Sequence, residues 1–239
     1  MKRALVTGAS GIIGAAMARN LAASGHHVYL HANTQLEAAL AVANEIVSAG
    51  MSAQALRFDI TNPDETLAAL EGILAGGPIQ ILVNNAGIHD DAVMPGMRHE
   101  QWARVIDVSL NGFFNVTQPL LLPMIRTRWG RIVNISSIAA VMGNRGQANY
   151  AAAKAGLHGA TRTLCLELAS RGITVNTVAP GIIASPATEK LFPQEVLAKL
   201  VPMQRAGMPE EVAELVGFLV SEKAAYISGQ LLNINGGMV

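Results

Sequence analysis

The sequence predicts a doubly wound α/β fold, with a parallel sheet of seven strands flanked by helices on both faces. Two observations carry this. Short, continuously apolar β-type runs alternate with longer helical stretches along the whole chain. A strand without in–out alternation is one buried on both faces, the situation of a parallel sheet covered by helices. A glycine-rich turn, Thr7-Gly8-Ala9-Ser10-Gly11-Ile12-Ile13-Gly14, also joins the first apolar run to the first helical one.

In chain order the strands are expected at Ala4–Thr7, His27–Ala32, Ala53–Phe58, Ile79–Asn84, Arg131–Ile135, Thr174–Ala179 and Gln230–Ile234. Helices are expected between them, among them Ile13–Ala23, Leu36–Ala49, Pro63–Leu74 and Pro209–Val220. The last two open on a proline, where the first turn of a helix has no use for the missing N–H. No linker, repeat or low-complexity tract interrupts the 239 residues, so one domain is expected over 1–239.

Only 14% of residues are charged, so part of the surface is expected to be covered by other subunits. A formal net charge of zero gives no bulk attraction to nucleic acid or to an anionic membrane. Cys165 is the only cysteine, which excludes an internal disulfide, and its apolar neighbours place it in the core. The histidines lack metal-ligand spacing; His27 and His31 bracket a strand, and no metal is expected. Met1-Lys2-Arg3 runs straight into a strand and no window reaches the ~18 apolar residues of a membrane span. A cytoplasmic protein is the expectation.

Glycines at a strand-to-helix turn let backbone N–H groups and a helix N-terminus approach a pyrophosphate. Gly8, Ser10, Gly11, Ile13 and Gly14 are therefore candidates for holding a dinucleotide, in a Rossmann-type arrangement. In an open parallel sheet the ligand crevice lies at the carboxyl ends of the strands. Two candidate groups fall there: Asp59 with Ile60, and Asn85-Ala86-Gly87. Asp59 can accept from an adenine amino group or serve as a loop cap before Thr61-Asn62. The second group is an ordinary turn or a bare backbone on which a cofactor lies.

Tyr150 and Lys154 are four residues apart in a helical stretch and share a face. A phenol is a poor acid–base near neutrality, and a nearby ammonium together with an oxidised nicotinamide lowers its pKa. Ser137, thirteen residues before Tyr150 and just past a strand, can donate to the same carbonyl oxygen. The bland alternative is an incidental Tyr/Lys pair on a surface helix.

Together, Thr7–Gly14, Asn84–Gly87, Ser137, Tyr150 with Lys154, and Pro180-Gly181 resemble the short-chain dehydrogenase/reductase family nearly end to end. The resemblance implies that Tyr150 protonates a carbonyl oxygen, Ser137 orients it, and Lys154 lowers the tyrosine pKa and binds the nicotinamide ribose. It also implies cofactor contacts from Pro180, Gly181, Ile183 and Ser185. Two departures stand out. Ser109 occupies the place of the family's relay asparagine, with Asn111 two residues on. The middle glycine of the turn is one place early, at Gly11, with Ile12 at the usual glycine position.

The second strand ends His31-Ala32-Asn33-Thr34, without a carboxylate to repel a 2′-phosphate. Asn33 and Thr34 can donate to that phosphate, as can His31, so NADPH (NADP) is favoured over NADH. The segments Met142–Tyr150, Ala169–Asn176 and Asn233–Met238 resemble 3-oxoacyl-[acyl-carrier-protein] reductases, with Gln147 at the substrate. That resemblance implies a thioester substrate on acyl carrier protein, docked by Arg128 and Arg171, and a homotetramer. His89-Asp90-Asp91 departs from the Thr-Arg-Asp of housekeeping relatives, pointing to a specialised, polyene-type pathway. Two other readings stay open: a carbonyl reductase or alcohol/sugar dehydrogenase for a free small molecule, and a non-catalytic dinucleotide-sensing protein. An intact Ser137, Tyr150 and Lys154 speaks against the sensor.

Overall fold

In the computed structural model, which describes residues 1–239, the strands are β1 (Arg3–Val6), β2 (His27–Ala32), β3 (Ser52–Arg57), β4 (Ile81–Asn84), β5 (Gly130–Ile135), β6 (Ile173–Pro180) and β7 (Leu231–Ile234). They form one seven-stranded sheet in the order β3-β2-β1-β4-β5-β6-β7, parallel throughout. Every expected strand is present, β2 with the expected bounds and the others with ends shifted by at most two residues. The chain lays β1, β2 and β3 outward in one direction, then crosses back beside β1 to lay β4 to β7. Where the direction reverses, between β1 and β4, the loops diverge and open a crevice.

The helices are α1 (Ile12–Ala23), α2 (Leu36–Ser48), α3 (Pro63–Leu74), α4 (His99–Ile106), α5 (Gly112–Thr127), α6 (Ala139–Met142), α7 (Ala148–Leu168), α8 (Pro186–Leu191), α9 (Gln194–Leu200) and α10 (Pro209–Val220). β4, β5 and β6 are buried at every position, which is why no alternation shows in their sequence. The alternation is nevertheless there in space. Ala4, Val6, Val28, Leu30 and Val83 pack under α1, α2 and α10, whereas Leu5, Leu82, Ile132 and Val175 pack under α3, α5 and α7. The edge strands β3 and β7 keep partial exposure.

Asn62 caps α3 as its sequence implies, accepting from the N–H groups of Asp64 and Glu65 at 3.1 and 3.2 Å. By contrast α5 runs through Pro119 and Pro123, and no local signal announces it. Cys165 is only half buried on α7, short of the core position expected from its neighbours. A buried polar ladder crosses the sheet beneath the crevice. Asn84 donates to Thr117 (3.0 Å) and Asn134 (2.9 Å), Asn134 donates to Thr161 (2.8 Å), and Thr161 bonds Thr177 (2.7 Å). It holds α7 in register with β4, β5 and β6, since slippage would strand buried amides. No helix is long and apolar enough to cross a membrane.

Candidate active site

The three turn glycines do different work. Gly8 adopts φ +64°, and a Cβ there would stand 2.9 Å from the Ala86 α-carbon. At Gly14 a Cβ would stand 2.4 Å from the Gly8 carbonyl oxygen and 2.8 Å from the Ala9 α-carbon, both backbone atoms. At Gly11 the nearest atom would be 3.5 Å away, an ordinary contact. Packing of the chain therefore demands glycine at 8 and 14. Gly11, exposed at the N-terminus of α1, is bare toward the crevice instead.

Side chains in or just past three strands hold this turn. Thr7 Oγ1 accepts from the N–H groups of Asn85 (2.9 Å) and Ala86 (3.0 Å). Asn85 Nδ2 donates back to the carbonyls of Thr7 (2.9 Å) and Gly8 (3.1 Å). His31 is buried in β2; its Nδ1 accepts from Gly8 N–H at 3.2 Å and its Nε2 donates to the Phe58 carbonyl at 2.8 Å. Burial holds its pKa below the ordinary imidazole range, against the pull of the Phe58 bond and of Asp59. The expectation that His31 could donate to a phosphate is corrected: both ring nitrogens are spent within the protein.

A cleft of about 1070 Å³ runs along the carboxyl ends of β1 to β4. It takes in Gly8, Ser10, Gly11, Ile13 and Gly14, then Asn33, then Asp59 with Ile60, and Asn85 to Gly87. Asp59 plays a structural part there as well, since its Oδ1 accepts from Thr61 N–H (2.9 Å) and Thr61 Oγ1 (2.8 Å). One cation beside the cleft was not read from the sequence. Arg57 ends β3 opposite Ala32 in the register, and its Nε donates to the Asn33 carbonyl at 3.3 Å. It is exposed and makes no ion pair. Only the β2–β3 pairing reveals it.

A second wall, behind the cleft residues Gly87 and His89, starts where β5 ends. Lys154, fully buried on α7, donates from Nζ to the Ile135 carbonyl at 2.9 Å. Burial pushes its pKa down to about 8. Tyr150, one turn earlier, is buried too. Burial pushes its phenol upward, the Ser137 hydroxyl draws it down, and the Asp91 carboxylate adds a further upward push. Lys154 Nζ lies 5.9 Å from the centroid of the Tyr150 ring. Burial is the largest influence on the phenol, and Tyr150 keeps its proton near neutrality.

Ser109 reaches the same wall through a π-helical turn, Asp107–Asn111, between α4 and α5. A Cβ on Gly87 would meet Lys154 Nζ at 3.0 Å and Ser109 Oγ at 3.5 Å, so both groups converge over the bare α-carbon of Gly87. Ser109 Oγ is buried without a hydrogen-bond partner. Asn111 points away, its Nδ2 donating to Asp107 Oδ1 at 2.7 Å.

Gln147 sits just before Tyr150. Its Oε1 accepts from Asn144 Nδ2 (2.9 Å), and its Nε2 donates to Asp91 Oδ2 (2.8 Å) and His89 Nδ1 (3.1 Å). The loop Ile88–Asp91 is thereby tied to α7, and Asn149 adds a bond from Nδ2 to the Asp90 carbonyl at 2.9 Å. The remaining candidates lie elsewhere. Pro180 closes β6, and Gly181 packs so tightly on the residue after β7 that a Cβ would stand 2.8 Å from the Asn235 α-carbon. Ile183 lines a separate cavity of about 410 Å³, and Ser185 caps α8 by accepting from Thr188 N–H at 3.0 Å. Arg128 and Arg171 precede β5 and β6, at the amino ends of the strands, whereas the cleft lies at the carboxyl ends. Arg128 Nη2 donates to the Ser170 carbonyl at 3.2 Å, which brings the two arginines into one exposed patch.

Residues 2–196 match the family model of the short chain dehydrogenases. The chain is 43% identical over 236 residues to the 3-oxoacyl-[acyl-carrier-protein] reductase of Aggregatibacter actinomycetemcomitans, covering 98% of each. It is 47% identical over 238 residues to that of Synechocystis, covering 99% of this chain and 96% of the relative. With the Staphylococcus aureus reductase of the same name the identity is 43% over 240 residues, covering 99% and 98%.

Proposed function

The chain belongs to the short-chain dehydrogenase family, and on that premise we propose that it reduces a 3-oxoacyl thioester to the 3-hydroxyacyl thioester, using NADPH and a substrate borne on acyl carrier protein. The observation that carries the reading is the convergence of Ser137, Tyr150 and Lys154 behind Gly87 and His89, residues that line the same cleft as the Gly8–Gly14 turn.

The cofactor of the family is a nicotinamide dinucleotide, which when bound supplies the hydride. The residues present fit it. Gly11 leaves backbone bare at the N-terminus of α1, where N–H groups receive a pyrophosphate. Asn33, Asp59 and Ile60 line the adenosine end, and Asn85 to Gly87 continue the floor. Family likeness assigns Pro180, Gly181, Ile183 and Ser185 to the nicotinamide end; they lie outside this cleft, Ile183 lining the separate cavity. NADPH preference rests on the absence of a carboxylate after β2 and on the Arg57 guanidinium beside Asn33.

Tyr150 gives its phenolic proton to the ketone oxygen; the buried phenol is protonated at neutral pH and so is ready to act as the acid. Ser137 donates a hydrogen bond to the same oxygen as negative charge grows there. Lys154 holds a positive charge beside the phenolate that remains. Ser109 supplies the site of a relay water, because a buried hydroxyl without a protein partner is satisfied by solvent. Arg128 and Arg171 form the patch for the acidic carrier. Phe114, Leu122 and Leu166 lie exposed on α5 and α7 and support a homo-oligomer, a tetramer by family likeness; a monomeric mass in sedimentation would overturn it.

A second reading, reduction of a free ketone, draws on Arg128, whose bond to the Ser170 carbonyl is also that of a helix-end cation. One experiment separates the two. Oxidation of NADPH is followed with acetoacetyl-carrier protein, an acetoacetyl thioester mimic and a simple ketone, at low and high salt, for the wild type and the Arg128→Ala/Arg171→Ala variant. The proposal expects the double variant to raise KM for the carrier substrate alone, with a salt-sensitive wild type. Preference for the simple ketone would overturn it, and equal KM changes would remove the arginines from docking.

A further inference from the structure

The loop after β4 presents a side chain that the mechanism above leaves unused. His89 faces Tyr150 with ring centroids 4.0 Å apart and planes tilted by 33°. It lines the cleft, and its side chain is 58% exposed.

Its neighbours set its tautomer. Because Gln147 Oε1 accepts from Asn144, the amide end of Gln147 is the one turned toward the loop, and its Nε2 donates to His89 Nδ1 at 3.1 Å. A ring nitrogen that accepts carries no proton, so the neutral imidazole bears its proton on Nε2. Asp91 Oδ1, 3.8 Å from Nδ1, is too far for a hydrogen bond to a charged ring. Burial, aided by the Lys154 charge and opposed by Asp91, holds His89 below the ordinary imidazole range, which keeps this form at neutral pH. The Nε2–H has no partner within the protein. A fixed, unspent donor thus stands against the ring of the group that protonates the ketone.

A 3-oxoacyl thioester carries two carbonyls separated by one methylene, so its two oxygens lie close together. We propose that His89 is a specificity-determining residue that donates its Nε2–H to the thioester oxygen of the substrate while the ketone oxygen is held by Tyr150 and Ser137. Gln147 is then a positioning residue that acts through the tautomer of His89. The inference rests on the 3-oxoacyl reading and adds the means of recognition. A monoketone has no second oxygen and leaves the donor unpaired.

The test compares kcat and KM for an acetoacetyl thioester and for a monoketone in the wild type, His89→Phe and His89→Gln. Phenylalanine keeps a ring against Tyr150 and removes the donor; glutamine restores an N–H. A single hydrogen bond corresponds to about a tenfold effect. His89→Phe is expected to raise KM for the thioester about tenfold with kcat nearly unchanged, to affect the monoketone far less, and to be rescued in part by His89→Gln. Equal KM changes for both substrates, or none, would overturn the role of His89 while leaving the substrate reading intact. Wild-type turnover of the monoketone without turnover of the thioester would overturn the substrate reading, and this inference with it.

Discussion

The Gly8–Gly14 turn lines the cleft, the Tyr150 wall stands behind its lining residues Gly87 and His89, and different forces hold the two. The turn is a matter of space: backbone atoms crowd Gly8 and Gly14 so closely that no side chain fits. The wall is a matter of charge and hydrogen bonding. Lys154 is buried on a single carbonyl, Ser109 has an orphaned hydroxyl, and Tyr150 is kept protonated by desolvation. The lesson is that the first region is intolerant of added volume, and the second of lost polarity. Substitutions on the two sides should therefore fail in different measurements.

The largest effect is expected at Tyr150. Tyr150→Phe keeps shape and removes the acid, so kcat should fall at least ~10²-fold while dinucleotide binding and the thermal midpoint stay near wild type. Near-normal turnover would take the proton donor away from this wall.

Next comes the turn. Gly14→Ala drives a Cβ to 2.4 Å from the Gly8 carbonyl oxygen, and overpacking of this kind costs about 3 kcal/mol. Its thermal midpoint should drop even without cofactor. Gly11→Ala meets only an ordinary contact and should cost less than about 1 kcal/mol, yet weaken dinucleotide binding because the methyl enters the cleft. Calorimetry on both variants checks this; equal losses of stability would erase the distinction between the two glycines.

Lys154 sharpens the electrostatic side. Its pKa falls from 10.5 to about 8 on burial. Between those values the unfolded chain binds a proton that the folded chain has released, so stability rises as pH climbs from about 8 to 10.5. Below about 8 the buried ammonium destabilises the fold by about 3 kcal/mol. Lys154→Met should accordingly be the more stable protein at neutral pH, with the difference shrinking toward pH 10. A difference that grows with pH would mean the lysine is stabilised in its charged form.

The smallest effect is expected at the rim. Arg57→Ala should weaken binding of adenosine 2′,5′-bisphosphate about tenfold, the worth of a charge-assisted hydrogen bond, while leaving adenosine 5′-phosphate unchanged. Asn33→Asp should move the preference toward NADH. Parallel losses for both nucleotides would remove Arg57 from the 2′-phosphate site.

Much of this was legible in the sequence because the interactions concerned act within a few residues. Buried parallel strands write themselves as apolar runs, Asn62-Pro63 writes a helix start, and Tyr150 and Lys154 share a face because a helix repeats every 3.6 residues. What only the tertiary structure decided involves residues far apart in the chain. Ser109 faces Lys154 because the π-helical turn Asp107–Asn111 rotates the helical face between α4 and α5, and that same rotation turns Asn111 outward. The β2–β3 register brings Arg57 to Asn33, and the Gln147 amide carries His89 onto Tyr150. His31, which the sequence offers to a phosphate, is used up by the turn and by Phe58 after β3. Arg128 and Arg171 stand at the amino ends of the strands, away from the cleft, because parallel strands send every strand start to one side and every strand end to the other. Local chemistry chooses the elements; register and loop path choose which of their side chains meet.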